Sequence, residues 1–567
     1  MTQIHVDRRV LFGLLWRKYL SRLGLVVVLA LYVTAVVRLH PTNFFGLTQD
    51  DTIYFSSAKA LADGQGYILP SVPGTPRATK YPFFYPWILS WVWRWNPSFP
   101  GNVADAVGVT VAFGCVFLTA AFLFLRQLNA FNDLEALILT LFCALQPLVR
   151  VYSGNVLSDI PFAAFALTVI VLSNLALRRN PGTALAAACG ILAGLTMFVR
   201  VLGVPVAAGI LVAMLLRREW RKVVVFSVCV APFFAALAWR ALFSAPSQAP
   251  VALSTCSAAW QGTWMSYTSY IGFWKIVSVH RGILWPILKQ NALLLLLQPG
   301  IYFADPRFVR PSDLGAVFTC VLSAIVFIGL FRLARKTGWQ PIHFSLALYV
   351  VPVLFWSYPI AERGLIPFLP LFAAGLWAEW KRLAKRIWKS LDRSQPRTER
   401  WVAALLTVVL VVFVAGIGWA QERNSRVISG ESQQRGSLLS EKHEAYSWLR
   451  ANTPPDSKVI AYEDVSLFLY SGRQALRPIT FSPAALYDPT LLESEISCLT
   501  ASAHAIHAEY WLMSDDDFSI EWTDATSAGV ARERQLGAAL PELFRSNSGR
   551  VRLYGLKTPS GADLLVR

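Results

Sequence analysis

The chain has 567 residues, 55% of them apolar and 15% charged, with a formal charge of +18. A soluble domain carries roughly 25% charged residues, so this balance, with a mean hydropathy of +0.46, excludes most soluble readings. The apolar share, the lack of a Gly triplet period and a total of 7 cysteines exclude disorder, collagen and a cysteine-stapled secreted scaffold, leaving a membrane protein.

Crossing a ~30 Å hydrocarbon core takes about 20 helical residues. Apolar runs of that order lie near 22–39, 107–126, 134–149, 159–177, 183–199, 201–216, 222–243, 313–332, 341–357, 364–379 and 401–420, which predicts about eleven spans. An internal N-terminus puts Arg8, Arg9, Arg17, Lys18 and Arg22 on the cytoplasmic side. Arg178 and Arg179, Arg217 to Lys222, Arg332 to Lys336 and the run Lys381 to Arg400 fall on that side too. Much of the +18 is therefore a topology signal, and nucleic acid is not an expected partner.

No small-residue cleavage site follows the first span at Val36 to Pro41, so it reads as a retained anchor. An odd number of spans then leaves the C-terminus outside, periplasmic in a protein of the bacterial inner membrane. Cys115, Cys143, Cys189, Cys229 and Cys320 fall inside apolar spans, where Cys packs as a small hydrophobe. Cys256 and Cys498 lie outside, which leaves a bridge between them open.

Three regions on the outer face are long enough to have structure: 40–106, 244–312 and the tail from 421. In the first, Thr48 to Phe55 leads into Ala58 to Gly64, a short helix stopped by Gly64. One acid at its start is explained by an N-cap; Asp50 and Asp51 side by side leave a spare carboxylate, able to act as a general base at the membrane surface. Next comes Thr79-Lys80-Tyr81-Pro82-Phe83-Phe84-Tyr85-Pro86-Trp87, either an aromatic interface belt with a snorkelling lysine or a site where Lys80 meets a lipid phosphate.

Ser158-Asp159-Ile160-Pro161 opens the fourth span, as a cap or as a functional acid. Arg200 interrupts two apolar runs, where charge is costly unless it caps an outer turn. The apolar Ile283 to Phe303, broken by Pro286, Lys289, Gln290 and Asn291, suits a helix lying at the interface. Glu362 and Arg363 either mark a helix start as a neutral pair or belong to a site. In the tail, Glu441 to Ala451 reads as helix, and Lys458 to Tyr462, Tyr510 to Met513 and Val551 to Leu556 as strands. A further helix is expected between Thr526 and Phe544. At about 147 residues the tail is long enough to bury its own core, so 1–420 and 421–567 read as a membrane domain and a separate soluble α/β domain.

Taken together, these motifs resemble the polytopic GT-C glycosyltransferases, in the branch that holds the protein O-mannosyltransferases and the bacterial lipid A aminoarabinose transferase. Asp50-Asp51 followed by Tyr54, Ala58, Leu61, Gly64, Gly66 and Tyr67 is similar to that branch's first outer-loop signature. Lys80-Tyr81-Pro82 with Tyr85-Pro86 resembles its Lys/Tyr-Pro-Pro stretch, with Phe83 where a second Pro is common. Ser158-Asp159 with Pro161 resembles the acidic second-loop motif, and Arg200 and Glu362-Arg363 the later arginine motifs. Tyr446 to Asn452, Pro454-Pro455-Asp456 and Ser471-Gly472-Arg473 look like the soluble C-terminal domain of such enzymes.

The resemblance implies a polytopic α-helical membrane protein of GT-C type with a C-terminal soluble α/β domain. It implies an inverting transferase that moves a sugar from a polyprenyl-phosphate donor to a lipid, glycan or protein acceptor outside the cytosol. Asp50 matches the family's leading acid and would be the base, with Asp51 beside it as cap or acceptor guide. Lys80, Arg200 and Arg363 would hold the donor phosphate; Tyr54, Tyr81, Asp159 and Glu362 would orient substrate. No cofactor is firmly implied; a divalent cation on Asp51 and Asp159 stays open. The competing reading is a flippase for lipid-linked sugars, against which the spans show no internal duplication.

Overall fold

The structure, a computed structural model, describes residues 8–39, 41–46, 48–178, 182–243, 256–268, 277–278, 280–304, 314–358, 362–390, 397–519 and 523–557. It is mostly helical. Among the described residues five helices are long and apolar enough to cross a membrane: Tyr19–Val37 within α1 (Arg8–Val37), α4 (Asn102–Gln127), α7 (Asp159–Ala176), Trp220–Arg240 within α10 (Trp220–Phe243), and Gly315–Thr337 within α13 (Leu314–Thr337). A pair bent by 60°, α5 (Asp133–Leu145) and α6 (Pro147–Ser153), forms a further broken run. Pro147 has no N–H to continue the ladder of α5, which accounts for the bend. Shorter apolar helices are α8 (Thr183–Val199), α9 (Gly203–Leu216) and α14 (Pro341–Leu354).

These elements cover the first nine apolar runs read from the sequence. The tenth, 364–379, is not one helix: a 3-10 turn occupies Glu362–Phe368 and α15 begins at Leu369, running to Ser390. Pro367 and Pro370 lack the N–H donors a single helix would need there. The eleventh is the start of α16 (Arg397–Asn452), whose 56 residues extend about 84 Å at 1.5 Å per residue. Val402, Leu405, Val408, Val411 and Val412 on it are exposed, as a lipid-facing surface is. The expected interfacial segment forms α12 (Leu284–Ile301) and buries Asn291, whose amide donates to the carbonyls of Leu354 and Trp356 at 3.0 and 2.7 Å.

The helical core packs α4 on α7, α8 on α10 and α9 on α14. The last pair approaches so closely that a Cβ on Gly209 would lie 2.3 Å from the backbone nitrogen of Ser345. Small residues of this kind let apolar helices touch where water supplies no driving force between them.

Two helices stand outside this core in the first loop, α2 (Gln49–Ala62) and α3 (Phe84–Trp95), and one in the second, α11 (Ser257–Thr268). In the tail, α16 leads to a sheet of β1 (Lys458–Ala461), β2 (Gln474–Leu476), β3 (Tyr510–Ser514), β4 (Glu542–Arg545) and β5 (Val551–Gly555), in the order β2-β1-β3-β5-β4. The β1 pairs are parallel and the β5 pairs antiparallel. Alternation along β1 decides what each face covers. Val459 and Ala461 pack with Tyr446 and Leu449 of α16, whereas Ile460 and Tyr462 join Ile53, Phe55 and Tyr81 of the first loop in one apolar cluster. Helices α17 (Asp464–Ser471), α18 (Pro489–Ser497), α19 (Ala501–Ile506) and α20 (Thr523–Gly537) complete the tail. The expected helix reaching Phe544 ends at Gly537, because Pro541 follows and 542–545 pairs with β5.

Edge strand β2 is tied to the first loop, the Ala475 N–H donating to the Ser71 carbonyl at 2.9 Å. Cys256 and Cys498 form a disulfide that joins the second loop to the tail, with Cα atoms 5.6 Å apart. Thiol alkylation in SDS without reductant is therefore expected to label five cysteines, and after reduction all seven. Seven reactive thiols before reduction would exclude the bridge.

Candidate active site

The start of α2 separates its two acids. Asp51 is completely buried, and its carboxylate accepts the N–H groups of Gly46 and Thr52 at 2.9 and 2.8 Å. Gly46 sits at φ +91°, and a Cβ there would meet Ser466 Oγ at 2.3 Å, so only glycine lets α17 approach this turn. Burial raises the Asp51 carboxyl from 3.8 to about 8, against the lowering effect of those two N–H bonds and with a further push from the Asp50 charge. Asp51 thus anchors the turn that starts the helix.

Asp50, one residue earlier, points to another set of partners. The Tyr81 hydroxyl donates to its Oδ1, Lys80 Nζ lies 3.8 Å from the same oxygen, and Arg363 Nη2 donates to Oδ2 at 3.3 Å. Burial pushes this carboxyl up, but Lys80, Arg363, the Tyr81 hydroxyl and Arg200 together outweigh it and hold the group at about 2. Burial, opposed by the Asp50 charge, lowers Lys80. The two adjacent acids thus sit in environments that shift their carboxyls in opposite directions.

Arg363 also reaches Asp159, its Nη1 3.8 Å from Oδ2, while Arg200 Nη1 bonds Oδ1. Asp50, Asp159, Lys80, Arg200 and Arg363 therefore form one connected cluster of three cations and two carboxylates, with one positive charge in excess. Asp50 keeps 21% and Arg363 24% of their side-chain surface accessible, so the cluster is open to a ligand. Arg363 is delivered by the 3-10 turn after α14, whose Gly364 carbonyl accepts the Tyr349 hydroxyl at 2.7 Å.

Tyr81 touches Asp50 directly. The Tyr54 hydroxyl lies 2.9 Å from Ser158 Oγ and its ring 4.6 Å from that of Tyr81, which locks α2 to the start of α7. The side chain of Glu362 lies outside the described residues. The oxygens of Asp51 and Asp159 have the partners just given, and among the described residues no group of three or more His, Cys, Asp or Glu is arranged to hold a metal.

Sequence reasoning missed two supports. Asp464 of α17 accepts the Tyr267 hydroxyl at 2.8 Å and the Gln49 amide at 3.4 Å, with Arg477 Nε 3.7 Å away, so the tail braces the first turn of α2. Arg240 at the end of an apolar run bonds the backbone around Lys80. Only the second had a signal, a cation closing an apolar segment.

No family model matches the chain, and no curated relative does. Among solved structures, the Archaeoglobus fulgidus oligosaccharyltransferase tethered to an acceptor peptide with an NVT sequon is similar over 95% of this chain and 74% of its own, at 13% identity and a TM-score of 0.54. Archaeal oligosaccharyltransferase AglB from the same organism, in complex with an inhibitory peptide and a dolichol-phosphate, is similar over 94% and 74%, at 12% identity and a TM-score of 0.52.

The chain shares the fold of these two structures.

ArnT from Cupriavidus metallidurans bound to undecaprenyl phosphate also matches, over 94% of this chain and 98% of its own, at 13% identity and a TM-score of 0.48. At these identities the likeness concerns the path of the chain; the chemistry has to be argued from the cluster itself.

Proposed function

We propose that the protein is an inverting glycosyltransferase of GT-C type that moves a sugar from a polyprenyl-phosphate donor to a hydroxyl-bearing lipid, glycan or protein acceptor. The observation that carries this reading is the Asp50 carboxylate held between Lys80, Tyr81 and Arg363 in a cluster with net positive charge. In the reaction the acceptor oxygen forms a bond to the anomeric carbon as the bond from that carbon to the donor's phosphate oxygen breaks. The acceptor's proton goes to Asp50, and the electron pair stays on the leaving phosphate, held by Lys80, Arg200 and Arg363. Arginine's planar fork suits the bidentate part of that contact.

The resting Asp50 is too weak a base because the cations hold its proton affinity down. Drawing Lys80 and Arg363 toward a donor phosphate removes that influence and raises the carboxylate's basicity when it is needed. Asp159 fixes Arg200 and shares Arg363, so it orients the phosphate partners. We assign residues 1–420 as the catalytic membrane domain and 421–567 as a soluble domain on the same face as the site. An extracytoplasmic, periplasmic-type face in the inner membrane with a cytoplasmic N-terminus is supported by the basic loops and by the disulfide, which persists in oxidising compartments.

Lys80→Ala in lipid nanodiscs is expected to weaken binding of undecaprenyl phosphate by about 10- to 100-fold, the worth of a charge-assisted hydrogen bond. Unaltered affinity would remove its phosphate role. In sealed vesicles the wild-type protein should form a new glycosidic bond; movement of the lipid-linked sugar without bond formation would replace this reading with a flippase.

A further inference from the structure

The strap from Ala78 to Tyr81 carries two of the groups that meet Asp50, yet it lies in no helix or strand. Beyond the Ala78 N–H, which donates to the Tyr67 carbonyl at 3.0 Å, side chains hold this backbone. Arg240 supplies most of that hold. Its Nη2 donates to the carbonyls of Ala78 at 3.2 Å and Tyr81 at 2.6 Å and also to that of Thr79, so two protons serve three acceptors on both sides of Lys80. The Tyr67 hydroxyl donates to the same Tyr81 carbonyl at 3.2 Å, and the Arg240 guanidinium lies 5.9 Å over the Tyr67 ring. On the other side of the strap the Thr79 hydroxyl donates to the Thr268 carbonyl of α11.

Arg240 closes the apolar run Trp220–Arg240, and among the described residues no carboxylate lies within ion-pair reach of it. A cation that only snorkelled would aim at water. This one is half-buried and directed at the carbonyls flanking the lysine.

We propose that Arg240 is a positioning residue for the transfer reaction, clamping the strap so that the Lys80 ammonium meets the donor phosphate and the Tyr81 hydroxyl meets Asp50. The inference rests on the glycosyltransferase reading above and goes beyond it by assigning a helix end in the membrane domain to the geometry of the first loop.

A double-mutant cycle on the full-length protein in nanodiscs tests it, with undecaprenyl phosphate as the probe and variants Lys80→Ala, Arg240→Gln and both together. Arg240→Gln alone should weaken binding by about tenfold or more. In the Lys80→Ala background it should weaken it no further, because the ammonium it positions is gone. Arg240→Lys, which keeps a donor for the carbonyls, should recover part of the loss. A general folding defect would instead lower affinity in both backgrounds. Additive losses, or no loss on Arg240→Gln, would overturn the positioning role while leaving Lys80 as a phosphate partner. A Lys80→Ala protein that binds like wild type would overturn the phosphate reading and the Arg240 role with it.

Discussion

Replacing Asp50 with Asn should lower turnover with a polyprenyl-phosphate sugar by about 10²- to 10⁴-fold, the range a positioned general base contributes. Asparagine keeps the shape and its one carbonyl oxygen can accept from either Tyr81 or Arg363, but it cannot take the acceptor's proton. Donor affinity should therefore change far less than the rate, and the thermal midpoint in detergent should fall modestly, because the ion pairs with Lys80 and Arg363 are lost while the core beneath is untouched. Asp51→Asn is the contrasting variant. Its carboxylate holds the Gly46 and Thr52 N–H groups, so its loss should appear first in folding yield. A rate unchanged by Asp50→Asn would eliminate the base.

Arg363→Gln is expected to have the second largest effect, about 10²- to 10³-fold on kcat/KM, comparable to removing one preorganised donor from a developing anion. The guanidinium spans Asp50 and Asp159 and is the only side chain among the described residues that has an ion pair with both. The change also has a pH signature. Asp50 is held below its ordinary value of 3.8, at about 2, so the folded state favours its ionised form. That contribution to stability is complete above pH 3.8 and is lost as pH falls toward 2. Without Arg363 part of it disappears, so the stability gap between wild type and variant should narrow as the pH is lowered through that window. A gap that widens toward low pH in thermal melts would contradict the pair.

The sequence carried the membrane class, the apolar runs and the candidate acids, because each depends on composition or on neighbours a few residues apart. The Asp50-Asp51 pair shows where such reading stops. Both acids sit in the same short helix, and which one meets the cations depends on the Gly46 turn, Tyr81 and Arg363, separated from them by up to 313 residues. The Tyr54 hydroxyl lies against Ser158 Oγ, a contact formed only when α2 packs against the start of α7.

The same distinction holds elsewhere. Strands β1, β3 and β5 were legible from their own β-branched and aromatic residues, whereas edge strands β2 and β4 depend on partners supplied by the fold. The bridge from Cys256 to Cys498 was open in the sequence and closed in the structure over 242 residues. Local chemistry thus determined which segments are apolar and which residues can bear charge. Tertiary packing alone decided which charges meet, because a carboxylate's partners come from wherever the chain returns to it, and no local pattern records that return.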